Sequence, residues 1–296
     1  MKSFNEILDK SQGLQKRVAV ANPLGAEILL ALREATDLKI ITPILVGNKE
    51  SIMDLCREHK IKTNEFEFYD EEDIEKTSSI CSSLVRNNTA HLLMKGQVST
   101  ATFVRACLDK TNGLRTDKLL STIGFIETPT YPKLLGLTDG GININPTLEQ
   151  KKEIMMNGIE LLHKLGIEKP KVACIAAVEK VNPKMQSTVD AHALAQMKIA
   201  NVLIDGPMAL DLALSKKACQ MKGYISSVGG DADLLIVPHI EVGNAVYKAL
   251  MYLADPQPKS AGIVIGSKVP LITTSRADSH ETRLYSIALG VIADMN

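Results

Sequence analysis

The chain has 296 residues, of which 45% are hydrophobic, so it can bury a sizeable core and lies near the length at which one core usually becomes two domains. Its 34 lysines and arginines balance 34 aspartates and glutamates. With no net charge, the chain has no overall field that would attract nucleic acid or an anionic membrane surface, and we expect neither as a partner.

Short apolar runs alternate with longer segments of helical periodicity, a pattern typical of βαβ units with a parallel sheet. In chain order it predicts a strand at 16–22, a helix at 23–36, a strand at 40–47, a helix at 49–59, a strand at 65–69, a helix at 73–87, a strand at 91–94, a helix at 99–109, strands at 119–126 and 134–138, a helix at 146–165, a strand at 171–177, a helix at 191–197, a strand at 202–204, a helix at 208–215, a strand at 234–237, a helix at 243–253, strands at 262–266 and 271–273, and a helix at 279–293. Glycines and a proline interrupt this rhythm at 140–146. We therefore expect a first α/β domain over 1–142 and a second over 143–275.

Several well-known chemical motifs do not occur in the sequence. It contains no G-x-x-x-x-G-K-[ST] and no G-x-G-x-x-G after a predicted strand, which argues against an ATPase or a standard dinucleotide enzyme. The six histidines form no H-E-x-x-H, so we expect no metal site, and the missing G-x-S-x-G elbow counts against an α/β-hydrolase.

The cellular location is indicated by the cysteines and by the first residues of the chain. Five cysteines, an odd number with no CxxC pair, favour a reducing compartment. The first ten residues lack the basic start and apolar stretch of a signal peptide, and no apolar run reaches the roughly 18 residues of a membrane span. We therefore expect a cytoplasmic protein that is not embedded in a membrane.

One loop with anion-binding character follows the predicted strand at 91–94. Lys95 and Gly96 form a turn, Ser99 and Thr100 open a helix, and Arg105 follows about one and a half turns later. Backbone amides and hydroxyls at a helix start can bind an anion, and an arginine can close over it. A capped helix with a solvated arginine explains the same residues without a ligand.

A second such loop follows the last predicted strand. Ser275, Arg276 and Asp278 place a hydroxyl, a bidentate phosphate binder and a carboxylate within one turn, directly before the final helix. Here too a purely structural explanation exists, because Asp278 or Ser279 can serve as a helix cap and Arg276 as a surface ion pair. The spacing leaves both interpretations open.

Four stretches in order resemble the phosphate acetyl/butyryltransferase family over nearly the whole chain. They are LMKGQVSTATFVRA at 93–106, TDGGININPTLEQK at 138–151, GGDADLLIVPHIEVGNAVYKAL at 229–250 and VPLITTSRADS at 269–279. The LMKG turn and the SRADS ending are more similar to the butyryl branch. Acetyl-specific members usually carry a histidine before the serine-threonine pair and SRG after the final strand.

The resemblance implies an activity and a fold. Acyl-CoA and phosphate would react reversibly to acyl phosphate and CoA, with no metal and no covalent enzyme intermediate, and CoA would be a substrate and not a resident cofactor. The fold implied is two α/β/α sandwich domains of the isocitrate/isopropylmalate dehydrogenase type, with the site in the interdomain cleft and the C-terminal helix, about 276–296, packed back onto the first domain. A homodimer or higher homo-oligomer and a functional pairing with an acyl (butyrate) kinase are implied as well.

Site residues follow from the resemblance by position. The expected acyl-phosphate and phosphate-binding residues are Lys95, Gly96, Ser99, Thr100 and Arg105; the expected catalytic residues are Ser275, Arg276 and Asp278; Gly243 and Asn244 are expected to shape the cleft. The arginines would clamp phosphate oxygens, and Ser275 would donate to the developing oxyanion or to the phosphate.

One position departs from the family pattern. The acetyl branch carries an aspartate seven residues after the serine, which is thought to deprotonate the CoA thiol, and Thr282 stands there in this chain. Asp278 or Glu281 would then substitute, or the thiol would lose its proton to phosphate or water. We take Asp278 as the expected base.

Three other functions stay open from the sequence. A phosphate acetyltransferase differs only in the acyl group. An oxidoreductase of the same fold would need metal-binding aspartates and a nicotinamide site, and neither pattern is found in the sequence. The missing aspartate also leaves open a non-catalytic protein that binds CoA or acyl phosphate.

Overall fold

The structure of the chain, a computed structural model, describes residues 1–111, 113–275 and 277–295. The contacts within it divide the chain into two units. The N-terminal unit comprises Phe4–Lys118 and the chain from Ser260 onward, and the central unit comprises Leu119–Lys259 with Met1–Ser3. The domain bounds expected from the sequence, 1–142 and 143–275, stay a prediction.

Helices and strands alternate along both units. In chain order they are α1 (Phe4–Ser11), β1 (Lys16–Ala21), α2 (Ala26–Asp37), β2 (Ile41–Gly47), α3 (Lys49–Glu58), β3 (Glu67–Asp70), α4 (Ile74–Arg86), β4 (Leu92–Lys95), α5 (Thr100–Cys107), β5 (Ser121–Glu127), β6 (Leu135–Thr138), α6 (Leu148–Lys164), β7 (Lys171–Ile175), α7 (Gln186–Ala195), β8 (Leu203–Met208), α8 (Leu210–Leu214), α9 (Lys216–Lys222), β9 (Leu234–Ile236), α10 (Ile240–Leu253), β10 (Lys259–Ile265), β11 (Leu271–Ile272) and α11 (His280–Ala293).

The sheet of the N-terminal unit has the strand order β3-β2-β1-β4-β11-β10. Its strands run parallel, except that β10 and β11 pair antiparallel. Lys95 of β4 pairs with Ala21 at the end of β1, and Met94 pairs with Ile272 at the end of β11. The carboxyl ends of β1, β4 and β11 therefore lie side by side, at the edge where parallel sheets usually bind ligands.

The last helix packs into the N-terminal unit. Every residue of α11 from Arg283 to Ala293 is buried, and the helix contacts α1 and α2. The rings of Phe4 and Tyr285 stack with their centroids 4.7 Å apart. A helix that is buried on all sides needs neighbours that cover it. Because α1 and α2 hold α11 in place, they also fix the end of the loop between β11 and α11.

The sheet of the central unit has the order β5-β6-β9-β7-β8. β5 and β6 pair antiparallel, and the other neighbours are parallel. Thr147 and Gln150 form a capping box that starts α6, which satisfies two backbone donors of its first turn. Both units are thus mixed α/β, which confirms the predicted class. Within the residues described, no helix has the length and apolar character needed to cross a bilayer.

Candidate functional site

The turn after β4 sits tightly against the end of β1. Gly96 N–H donates to the carbonyl of Ala21 at 2.8 Å, and Gln97 N–H donates to the carbonyl of Asn22 at 2.7 Å. A Cβ atom at Gly96 would overlap the carbonyl oxygens of both Asn22 and Ala21. Since backbone atoms cannot swing aside, only glycine fits this turn.

Lys95 lies buried beneath the same turn. The residue is 5% exposed, and its Nζ donates to the carbonyls of Gly96 at 3.3 Å and Val98 at 3.4 Å. An ammonium group held among backbone carbonyls keeps a positive charge close under the loop. Such a charge favours a bound anion, and it acts more strongly here than in water because the surroundings are less polarisable.

Helix α5 begins directly after this turn. Ser99 caps it by accepting from Thr102 N–H at 3.0 Å and donating to the Thr102 hydroxyl at 2.9 Å. Thr100 and Arg105 are exposed, and Arg105 makes no hydrogen bond or ion pair with the described residues. The positive end of the α5 dipole and one basic side chain therefore face solvent beside the Lys95 turn.

The loop after β11 is closed by its own hydrogen bonds. Asp278 Oδ2 accepts from Ser275 N–H at 2.6 Å, and Asp278 N–H donates to the Ser275 carbonyl at 3.3 Å. Ser279 then caps α11 by accepting from Thr282 N–H at 3.2 Å. Thr282, at the position of the missing aspartate, thus takes part in the helix cap. Arg276 lies outside the described residues.

Burial controls the protonation of Asp278. It raises the pKa of this carboxyl above its usual value, although the hydrogen bond from Ser275 and the positive charges of Arg283 and Lys95 act in the opposite direction. Lys95 is therefore close enough to Asp278 for its positive charge to lower the pKa of that carboxyl. The loops after β4 and β11 follow neighbouring strand ends, and their charged groups interact.

Arg283 was not expected from the sequence. It is 4% exposed and donates to Thr274 and Ser275 from beneath the β11 loop. The signal that could have revealed it is a single arginine inside the otherwise apolar run of α11, since a buried charge needs partners.

Gly243 and Asn244 lie in the central unit, near the start of α10. A Cβ atom at Gly243 would come within 2.8 Å of Gly140 Cα and 2.9 Å of the Asp139 carbonyl oxygen. Asn244 Nδ2 donates to the Gly140 carbonyl at 3.4 Å. The two residues let α10 approach the 139–143 loop closely, and their expected role in shaping a cleft stays a prediction.

The 139–143 loop is organised by one buried carboxylate. Asp139 is 3% exposed and accepts from the backbone N–H groups of Gly141 at 2.8 Å, Ile142 at 3.1 Å and Asn143 at 3.1 Å. It also accepts from Asn143 Nδ2 at 2.6 Å. The TDGGININ stretch is therefore a rigid loop, for which the sequence suggested no individual roles.

Cysteines and metal ligands contribute little to the candidate site. Cys107 on α5 is buried, and burial raises the pKa of its thiol to about 12, so it stays protonated at neutral pH. Among the described residues, no three histidine, cysteine, aspartate or glutamate side chains come together in a way that could hold a metal ion.

The fold is that of phosphotransacylases. A branched-chain phosphotransacylase from Enterococcus faecalis V583 matches it with a TM-score of 0.85 and 31% identity, over 95% of this chain and 99% of that one. Together with the polar loops after β4 and β11, this likeness defines the chain as an α/β phosphate acyltransferase.

Sequence comparison identifies the family. The profile described as phosphate acetyl/butaryl transferase matches residues 70–291. Phosphate butyryltransferase of Clostridium acetobutylicum is 42% identical over 301 aligned residues, 100% of this chain and 99% of that protein. Phosphate acetyltransferase of Thermotoga maritima is 36% identical over 293 residues, 98% and 99% of the two chains. The chain therefore belongs to the phosphate acetyl/butaryl transferase family, which confirms the family predicted from the four sequence stretches.

Membership of this family establishes the reaction. The chain is an enzyme that transfers an acyl group reversibly between coenzyme A and inorganic phosphate, with CoA as a substrate. The predicted activity is thereby confirmed, and the oxidoreductase and the non-catalytic binding protein are set aside. The individual roles expected for the site residues stay predictions.

Proposed function

We propose that the transferred acyl group is butyryl or a branched short chain, and that CoA thiolate attacks the acyl phosphate directly within a ternary complex. The relatives named as a butyryltransferase and a branched-chain phosphotransacylase support this acyl preference. The LMKG turn and the SRADS ending support it independently. Acetyl phosphate is the alternative substrate.

The observation that carries the proposed site is the register of the N-terminal sheet. It brings the ends of β4 and β11, and with them Lys95 and Ser275, to one edge. Phosphate would bind the turn of Lys95 and Gly96 and the start of α5 at Ser99 and Thr100, and a hydrogen-bonded anion at such a start is stabilised by the helix dipole. Arg105 and Arg276 would clamp its remaining oxygens.

Asp278 would take the proton from the CoA thiol. Its raised pKa brings the carboxyl closer to the pKa of a thiol, which makes it a stronger base than an exposed aspartate. Since only the ionised form accepts a proton, activity in the direction that consumes CoA should fall as the pH drops through this pKa. The thiolate then adds to the acyl carbonyl, the Ser275 hydroxyl donates to the developing oxyanion, and phosphate leaves.

The rest of the proposal follows the family resemblance. The two domains would have the isocitrate/isopropylmalate dehydrogenase-like arrangement, with Gly243 and Asn244 shaping the cleft. The enzyme would hold no permanent cofactor, would lie in the cytoplasm, and would work with an acyl (butyrate) kinase that consumes the acyl phosphate.

Helix α10 supports a homo-oligomer. Tyr252 is 72% exposed and Leu253 is 84% exposed, and Lys248 is the one charged residue between positions 242 and 253. An apolar, nearly uncharged face can meet its own copy across a two-fold axis without charge repulsion. We expect light scattering to give at least a dimer for the wild type and a monomer for the Leu253→Glu variant. A monomeric wild type would contradict this part of the proposal.

The first experiment measures phosphate-dependent release of free CoA thiol from acetyl-, butyryl- and isovaleryl-CoA by protein purified in the presence of a chelator. Higher kcat/KM on the four- and five-carbon substrates supports the proposed acyl preference. Preference for acetyl-CoA would move the chain to the acetyl branch. No release from any of the three would contradict the proposed function.

A further inference from the structure

Arg283 is a buried charge next to the proposed site. It lies in the second turn of α11, in a helix whose following residues to Ala293 are all buried. Removing a guanidinium group from water costs free energy unless its N–H groups find acceptors. Three acceptors of this arginine, on Thr274, Ser275 and Asp278, belong to the loop that carries the proposed catalytic residues.

The guanidinium spans that loop from its beginning to its end. It donates from Nη1 to the Thr274 hydroxyl at 2.8 Å, from Nη2 to the Ser275 carbonyl at 2.8 Å, and from Nε to the Asp278 carbonyl at 3.3 Å. Three donors in a rigid plane fix three points of the loop at once. The ammonium group of a lysine has no such plane and could not reproduce all three bonds.

The same guanidinium acts on the charge of the loop. Like Lys95, it favours the ionised form of Asp278 and so opposes the effect of burial on the pKa of that carboxyl. Asp278 and Glu27 in turn favour the charged form of Arg283, whose pKa burial lowers. Loss of the guanidinium would therefore raise the pKa of Asp278 further.

We propose that Arg283 is a positioning residue for acyl transfer, which holds the Ser275–Asp278 loop in shape through its three hydrogen bonds. It acts through these two residues without touching a substrate, so the inference rests on the roles proposed for them. No other described side chain donates to Thr274, Ser275 and Asp278 together.

The test compares Arg283→Gln and Arg283→Lys with the wild type. Arg33→Gln is the matched control, because Arg33 is also buried in the N-terminal unit but has other partners. It donates hydrogen bonds to Asp37 on α2 and to the carbonyl of Asn64 in the 62–65 loop. For each protein, thermal unfolding, kcat, KM for phosphate and the pH profile of kcat in the CoA-consuming direction are measured.

We expect Arg283→Gln to lower kcat about tenfold or more, the usual effect of losing hydrogen bonds from a charged group, and to move the acidic limb of its pH profile to higher pH. Arg283→Lys keeps the charge, so its acidic limb should stay near that of the wild type while kcat falls. Arg33→Gln should unfold at lower temperature with kcat and pH profile unchanged.

The outcomes separate this inference from the proposed function. A folded Arg283→Gln protein with kcat within about twofold of the wild type and an unmoved acidic limb would overturn the positioning role alone. If that variant does not fold, a wild-type kcat for Arg283→Lys would overturn it instead. A wild type without phosphate-dependent turnover would overturn the proposed function itself.

Discussion

Replacing Gly96 by alanine tests the closeness of the β4 turn to β1. The new Cβ would overlap two backbone carbonyl oxygens, so the turn must move away from the end of β1. That movement breaks the bonds from Gly96 N–H to Ala21 and from Gln97 N–H to Asn22, each worth about 1 kcal/mol. We expect a loss of about 2 kcal/mol, or a decrease in Tm of about 3 °C for a protein of this size.

Calorimetry and initial-rate kinetics together measure this effect. The KM for phosphate should also rise, because the displaced turn carries Lys95 and leads into α5. Gly25→Ala is the matched control in the same region: its Cβ would meet only the side chains of Gln97 at 3.4 Å and Ile28 at 3.8 Å, so we expect a change within about 1 kcal/mol. Equal Tm and KM values for Gly96→Ala and the wild type would refute the reasoning.

Three further substitutions test other parts of the structure. Asp278→Asn keeps an oxygen that can accept from Ser275 N–H, so we expect a folded protein with a much reduced kcat whose pH profile has lost its acidic limb. Burial raises the pKa of Asp278, so its ionisation costs stability above the pKa of the unfolded state. The Tm of the variant at pH 7 should therefore not fall below that of the wild type. Gly243→Ala should lower Tm through its contact with Gly140, and an unchanged Tm would refute that contact. Lys151→Met removes the cation that lies 2.7 Å from the buried carboxylate of Asp190, which keeps its hydrogen bond from Gln186. Chemical denaturation should reveal a loss of about 3–5 kcal/mol, and a loss below about 1 kcal/mol would contradict this reasoning.

Much of the fold was predictable from hydrophobic periodicity. The strand expected at 40–47 is β2 at Ile41–Gly47, and the helix expected at 146–165 is α6 at Leu148–Lys164. Both segments have strong local signals, an apolar run interrupted only at Thr42 and Pro43 in the first and a capping box in the second. Local pattern and tertiary packing agree in these places.

The errors have identifiable physical causes. A helix was expected from 208, but β8 runs through Gly206 and Pro207 to Met208. These two residues usually end a strand, yet β8 lies at the end of the strand order of its unit, where an edge strand tolerates them. Helix α1 was not predicted, because among the apolar residues of its two turns only Phe4 and Ile7 are buried, too few for a periodic signal.

The candidate site was predictable only as separate loops. The sequence predicted Ser99 or Thr100 as the cap of α5 and Asp278 or Ser279 as the cap of α11, and the caps are Ser99 and Ser279. The contacts of Arg283 with the β11 loop and the influence of Lys95 on Asp278 depend on how β4, β11 and α11 pack. No local pattern encodes such contacts, because they join residues far apart in the chain.

The route of the chain through the N-terminal unit has a consequence for biosynthesis. β11 pairs with β4, yet more than half of the chain, from residue 96 to residue 270, separates the two strands. While the protein emerges from the ribosome, the central unit can complete its sheet first, and β4 must wait with an unpaired, apolar edge. The enzyme therefore gains its proposed phosphate site only after β11 has left the ribosome, and nascent chains that stop before Ser260 would be candidates for aggregation and quality control.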